Sequence, residues 1–194
     1  MDMNEFNLWL TKFLLNIGIW GYILSCVLLF LEAIIPILPA TIFITLLMYK
    51  FGAILGFVIS YTFSVLGSIF VYKFFNSNLS NKFNNYIIKK DKTKLKNIVK
   101  RIKNIKFVNL CLIIALPFTP QFLVHISCGL VGMDKKKYIL SLIIGKIFII
   151  VFWGFIGTSL INSIKNPINF IYIIVLLVLC FILSKIVSRK EGIE

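Results

Sequence analysis

The sequence predicts an all-α integral membrane protein, built as an inverted repeat with two re-entrant helical hairpins and about four true transmembrane helices. Three observations carry this prediction. Of the 194 residues 59% are hydrophobic and 14% are charged, and the mean hydropathy is +0.96, whereas soluble domains keep about a quarter of their residues charged. The basic residues are clustered, and two proline pairs interrupt two of the apolar segments. All of 1–194 is read as one membrane domain.

Six apolar segments follow one another along the chain, at 13–31, 33–49, 53–75, 107–133, 138–161 and 168–187. A membrane-spanning helix needs about 20 apolar residues. The first half of the predicted repeat covers 13–75 and holds a re-entrant hairpin at 33–49. A connector follows at 76–106, and the second half covers 107–187 with a re-entrant hairpin at 107–133.

The basic residues decide which segments cross. Eleven of the 21 Lys and Arg residues lie between Lys73 and Lys106, which is typical of a cytoplasmic loop. If all six segments crossed, Lys135–Lys137 and the tail at Arg189 would lie outside. If 33–49 and 107–133 return to the side they entered, every basic cluster is cytoplasmic. We therefore predict a multi-pass protein of the cell (plasma) membrane with both termini in the cytoplasm.

The prolines mark where the hairpins turn. Pro36 and Pro39 have the same spacing as Pro117 and Pro120, and a proline removes a helix hydrogen bond and clashes with the preceding turn. A glycine follows each pair, with Gly129 after the second. Broken helices that meet near the midplane form binding sites in inverted-repeat transporters. The alternative is that kinked helices only pack tightly.

The connector at 76–106 carries apolar residues at helical spacing, such as Leu95, Ile98, Ile102 and Ile105, with lysines between them. This pattern is typical of a basic amphipathic helix on an anionic membrane surface. A solvated connector fits it almost as well. Nucleic-acid binding is not expected, because no groove of interleaved aromatic and basic residues accompanies the charge.

Ionisable residues inside apolar segments are costly and need a reason. Glu32, His125 and Lys146 are such residues. Glu32 is either an interfacial residue or a buried carboxylate with a cationic partner, and Lys146 is either a phosphate contact or a structural partner of Glu32. His125 follows Gln121 by one helical turn, so that with Thr119 they form a polar stripe; a purely structural histidine is the alternative.

Enzyme chemistry is not predicted. The chain has one histidine and no HExxH or GxSxG motif, so it lacks a catalytic triad or a zinc-protease signature. The four cysteines lie in apolar segments without metal-ligand spacing. We expect no metal and no cofactor.

Two stretches, "FLEAIIPILPATIF" and "ALPFTPQFLVHISCGLVGMDKKKYILSLIIGK", resemble the DedA / VTT-domain superfamily, also called SNARE-associated Golgi-type membrane proteins. The first motif is matched by Glu32, Pro36 and Pro39. The second is matched by a set of six residues: Pro117, Pro120, Gly129, Leu130, Met133 and Gly145. Many members have a second acid after the first motif, where this chain has Ala40 and Thr41, and an arginine at the position of Ile114. The chain therefore resembles a divergent Tvp-type branch.

The resemblance implies transport of a lipid or a lipid-phosphate, such as a polyprenyl phosphate or a phospholipid, across the bilayer. The expected partners are membrane lipids with anionic headgroups, while protein partners and a homo-oligomeric state stay open. The substrate-binding or coupling residues would be Glu32, Thr119, Gln121, His125 and Lys146. The alternative is an ion- or proton-coupled transporter of a small polar solute on the same scaffold.

Overall fold

The structure, a computed structural model, describes residues 18–35, 38–79 and 101–163, together with isolated positions nearer the two ends. These ranges include the helices α1 (Ile19–Glu32), α2 (Ala40–Asn78), α3 (Phe107–Ala115), α4 (Gln121–Leu130) and α5 (Lys135–Ser163), and residues 101–103 are helical as well. The described ranges contain no strand, so the all-α prediction is confirmed. Pro36, most of the connector and the predicted segment 168–187 lie outside the described residues.

Helix α2 folds back on itself at Gly52. That glycine has φ 81° and ψ 167°, which are not helical values. A Cβ added to Gly56 would lie 2.6 Å from the backbone nitrogen of Met48, although eight residues of straight helix span about 12 Å. The part 40–51 is therefore a short helix that returns against the long part 53–78.

The short helix 40–51 is paired with α1. The ring of Tyr22, near the start of α1, lies 5.6 Å from the ring of Phe51, and the Lys50 ammonium lies 5.6 Å above the same tyrosine. The start of α1 and the end of the helix 40–51 therefore lie side by side near the Gly52 turn. At 14 residues, α1 is about 21 Å long, which is less than the roughly 30 Å of a bilayer's hydrocarbon core.

These helices correct the predicted boundaries in the first half. Residues 33–39 form the connection between α1 and α2, rather than the first arm of a hairpin at 33–49. The observed pair of short helices is α1 with 40–51. Helix α1 covers most of 13–31, which the sequence predicts to be a spanning segment. Re-entry of this pair into a membrane stays a prediction.

The second half has the same order of elements. Helix α3 ends at Ala115, residues 116–120 interrupt the chain, and α4 begins at Gln121. A turn with Gly132 at φ 64° leads into α5, as the Gly52 turn leads into 53–78. The predicted break at Pro117 and Pro120 is therefore observed, while the inverted repeat stays a prediction.

The long parts of α2 and α5 form the centre of the molecule. Helix α5 packs along α2 and α3, while α4 packs on α2. Close approach requires Gly129, since a Cβ there would lie 2.7 Å from the carbonyl oxygen of Tyr72. In the described residues, two helices are long and apolar enough to cross a membrane, Ala40–Ser77 and Lys135–Ser159, and in the first of them the part after the Gly52 turn is the long one. Large apolar side chains such as Ile54 and Phe148 face outward, as expected of surfaces that contact lipid.

Candidate functional site

A cavity of about 300 Å³ lies where the two chain breaks meet. The first break supplies Glu32 and residues 38–41, and the second supplies Pro117 and residues 119–122. The long helices complete the wall with Ser64, Lys146 and Trp153, together with aliphatic side chains. Residues that are far apart in the sequence are thus brought together at the level of both breaks.

Two helix N-termini open into this cavity. Helix α2 starts after Pro39 and α4 after Pro120, and neither start has a side-chain cap. The first bonded amides are those of Ile42 and Leu123, each 3.0 Å from the preceding proline's carbonyl oxygen. An α-helix leaves its first amides without intrahelical partners and carries about half a positive charge at that end. Both ends therefore favour a negatively charged group in the cavity.

Lys146 brings a full positive charge to the same place. Its side chain is 2% exposed, and its Nζ donates a hydrogen bond to Ser64 Oγ at 3.0 Å. Glu32 lines the same cavity, but no direct ion pair joins it to Lys146 among the described residues. The predicted coupling of Glu32 and Lys146 stays a prediction, and both line one cavity as it requires.

The Gln121 side chain forms a hydrogen bond across the second break. Its Nε2 donates to the carbonyl oxygen of Ile114 at 2.9 Å, which is one of the last carbonyls of α3 and has no intrahelical partner. Because that carbonyl only accepts, the Gln121 amide is oriented with its Oε1 free. This oxygen and Thr119 Oγ1 are buried and have no hydrogen-bond partner among the described residues. Both residues line the cavity, so a ligand there would find an acceptor and a hydroxyl.

His125 does not line the cavity. It is fully buried between α4 and α5, where its Nδ1 lies 2.9 Å from the hydroxyl oxygen of Tyr138. That hydroxyl also donates to the carbonyl oxygen of Ser68 at 3.1 Å, so the histidine supplies the proton of the first bond. Thr119, Gln121 and His125 therefore do not form the single polar stripe that the sequence predicts. Thr119 and Gln121 line the cavity, whereas His125 lies in the contact between α4 and α5.

The remaining motif residues shape the breaks. Pro39, Pro117 and Pro120 line the cavity, Gly129 lies at the contact of α4 with α2, and Pro36 lies outside the described residues. Sequence reasoning missed Ser64. Its signal was the recurrence of serine every four residues, at Ser60, Ser64 and Ser68, on one face of an otherwise apolar helix.

No group of three potential metal ligands was found among the described residues. The lining of the cavity offers hydrogen-bond donors, one ammonium and one carboxylate. A small anionic or zwitterionic group fits this chemistry.

Comparison with known proteins identifies relatives of this chain. Residues 38–159 match the VTT domain, which is more than half of the chain. An uncharacterized membrane protein of Bacillus subtilis strain 168, YhjE, is 26% identical over 180 residues, which cover 93% of this chain and 86% of that protein. No solved structure matches. The VTT-domain match includes the second break and the cavity walls from Leu38 onward, and the resemblance noted in the sequence is confirmed: the chain belongs to the VTT domain family of membrane proteins.

Proposed function

We propose that the protein moves a lipid or a lipid-phosphate across the bilayer, with the phosphate of the headgroup bound in the cavity between the two breaks. The observation that carries this proposal is the convergence of two uncapped helix N-termini on a buried lysine. Helix N-termini bind phosphate through their free amides and their dipole, and lysine adds a point charge. The acyl or prenyl chains would stay in the surrounding bilayer.

The way the chain lies in the membrane is part of the proposal. The pairs α1 with 40–51 and α3 with α4 enter as re-entrant hairpins from opposite sides, in an inverted repeat whose tips meet at the cavity. Non-helical backbone at membrane depth is tolerated where it is buried in protein or lines a wet cavity, and the cavity is lined by Leu38, Pro39, Pro117, Thr119 and Pro120. The protein is a multi-pass protein of the cell membrane, with the basic connector and the C-terminus in the cytoplasm.

If the first pair enters from outside, the cytoplasmic N-terminus expected from the sequence requires one further crossing of the bilayer before α1. Cysteines placed at Asn4, Lys136 and Arg189, on a background without the native cysteines, test the arrangement in intact cells. None of the three should react with an impermeant maleimide from outside. Reaction at Lys136 would overturn the hairpin arrangement, and reaction at Asn4 alone would move only the N-terminus.

Transport is tested with purified protein in vesicles. We expect the protein to speed the movement of a fluorescent polyprenyl phosphate or phospholipid, and to leave the same prenyl alcohol, which lacks the phosphate, at the protein-free rate. The variant Lys146→Met should lower this activity about tenfold or more, while the exposed Lys73→Met is the matched control. Equal acceleration of the phosphate and the alcohol would contradict phosphate recognition.

The alternative, coupled transport of an ion or small solute, is favoured by the presence of Glu32 in the same cavity. An ion flux through vesicles of the same preparation, without movement of labelled lipid, would support that alternative and overturn the proposed one.

A further inference from the structure

A second pocket lies on the other side of Pro120, between the two short helices α3 and α4. It has a volume of about 70 Å³, where one water needs about 10–15 Å³, so it holds a chain of about five methylene groups. Its walls are almost wholly apolar: Ile102, Ile105, Leu110, Ile113, Pro120, Leu123, Val124, Ser127 and Cys128, with Arg101 as the single charged residue. We call it the α3–α4 groove.

The groove has a polar end and an apolar end. Ser127 lies seven residues after Pro120 on α4, which separates the two by about 10 Å along the helix. Leu110 and Ile113 on α3 line the groove beside this stretch of α4. Arg101, Ile102 and Ile105 also line it, and they lie at the end away from Pro120 because the length of α3 separates them from the break. The groove therefore runs from a cationic mouth to the proline at the chain break.

The surroundings of the mouth are basic. Arg101, Lys103 and Lys106 are exposed, and Asp134 is the single acidic residue in the stretch 101–134. The Asp134 Oδ1 already accepts a hydrogen bond from the backbone amide of Lys137 at 2.8 Å. Each lysine or arginine near a membrane surface contributes about 1 kcal/mol to the attraction of anionic lipid. The mouth is thus complementary to a negatively charged headgroup.

We infer that the α3–α4 groove is a binding site for an anionic membrane lipid, separate from the cavity between the breaks. The upper methylenes of one acyl chain lie against Leu110, Leu123 and Val124, and the phosphate lies at Arg101. A zwitterionic lipid fits the apolar part equally well but loses attraction at the mouth. Because Pro120 forms a wall of both the groove and the cavity, a lipid held here would support the second break. This inference does not depend on what the cavity transports.

The test is photo-cross-linking in vesicles. Phosphatidylglycerol and phosphatidylcholine, each with a diazirine within the first eight carbons of one chain, are incorporated separately, and cross-linked peptides are mapped by mass spectrometry. We expect label on the stretch from Leu123 to Ser127, about fivefold more with phosphatidylglycerol. Equal labelling by the two lipids, or no label on this stretch, would overturn the inference.

Two variants with matched controls sharpen the result. Arg101→Gln should remove most of the preference for phosphatidylglycerol, while Lys73→Gln, which changes an exposed lysine on α2, should keep it. Ser127→Phe should fill the groove and reduce labelling by both lipids, whereas Ser77→Phe on the exposed face of α2 should not. Since Arg101 is exposed, its variant tests the site even if Ser127→Phe fails to fold. A preference that survives Arg101→Gln would also overturn the inference.

Discussion

The two halves of the molecule share a backbone design and differ in chemistry. Each has two short helices with a break between them, then a glycine with positive φ, then a long helix. In the first half the polar groups at the cavity are mainly Glu32 and Ser64. In the second half they are Thr119, Gln121 and Lys146. The first half thus supplies the negatively charged carboxylate of Glu32. The second half supplies the positive charge of Lys146 and the side-chain amide of Gln121, which would recognise an anion.

The backbone breaks are common to both halves, whereas the polar side chains at the cavity differ between them. Each proline break places a helix N-terminus at the cavity, which is a property of the backbone. The side chains need not recur, since one lysine between two N-termini already gives a positive site. The predictions below test how far the equivalence of the halves extends.

The largest effect is expected from the prolines. The double variant Pro117→Ala/Pro120→Ala should favour a continuous helix from α3 into α4, because each proline inside a helix costs about 3 kcal/mol. The N-terminus of α4 would then be lost, and lipid transport in vesicles should fall to near the protein-free rate. Pro39→Ala is the counterpart in the first half and should lower transport in the same direction. A double variant that inserts normally and transports at the parental rate would show that the break is not the working part.

A smaller but clear effect is expected at Lys146. Lys146→Met removes a buried charge-assisted hydrogen bond to Ser64, and the loss of such a bond costs about 1.5–3 kcal/mol, so transport should fall about tenfold or more. Glu32→Gln should also lower transport, because it leaves the ammonium without its nearby carboxylate. The double variant should recover part of the loss.

The measurement is a double-mutant cycle on the transport rate and on thermal stability in detergent. Strict additivity of the two changes would rule out coupling between the halves through this pair. Lys73→Met controls for the loss of a lysine elsewhere.

Alanine substitutions at the two glycine turns, Gly52 and Gly132, should lower stability by different amounts. Gly52 has φ 81° and ψ 167°, a region that residues with a Cβ almost never adopt, so Gly52→Ala should cost about 1–3 kcal/mol of stability. Gly132 has φ 64°, and alanine in a left-handed conformation costs about 1–2 kcal/mol. A Cβ at Gly52 would meet no atom within 4 Å, so its cost comes from the backbone alone. Equal denaturation midpoints for wild type and Gly52→Ala would contradict the fold-back of α2.

The smallest effect on transport is expected at His125. Because its ring bonds Tyr138 in the helix packing, His125→Gln keeps a hydrogen-bonding group there and should leave the transport rate within about twofold, with a stability change of about 1 kcal/mol. Tyr138→Phe, which removes the partner hydroxyl, should show the same pattern. Loss of transport in His125→Gln with unchanged stability would mean that the histidine takes part in transport.

The sequence by itself determined the class of the protein, its family and the place of its second break. Those properties are local: composition decides which solvent surrounds the helices, and a proline disrupts the helix that contains it wherever that helix lies. Glu32 and Lys146 stood out for the same reason, since a charge in an apolar segment is visible without a structure. The first hairpin was placed too late because its first arm, α1, is as apolar as a spanning segment, and the reversal at Gly52 that makes 40–51 its second arm is not visible in an apolar run.

Only the tertiary structure decided which of these residues meet. Lys146 donates a hydrogen bond to Ser64, which lies 82 positions away in the sequence. Thr119 and Glu32 line the same cavity because the breaks of the two halves meet there. His125 was assigned to the cavity by its helical spacing from Gln121, yet it turns toward Tyr138. Periodicity gives the face of a helix but not the neighbour that covers that face, because the neighbour is chosen by packing between segments that are distant in the chain.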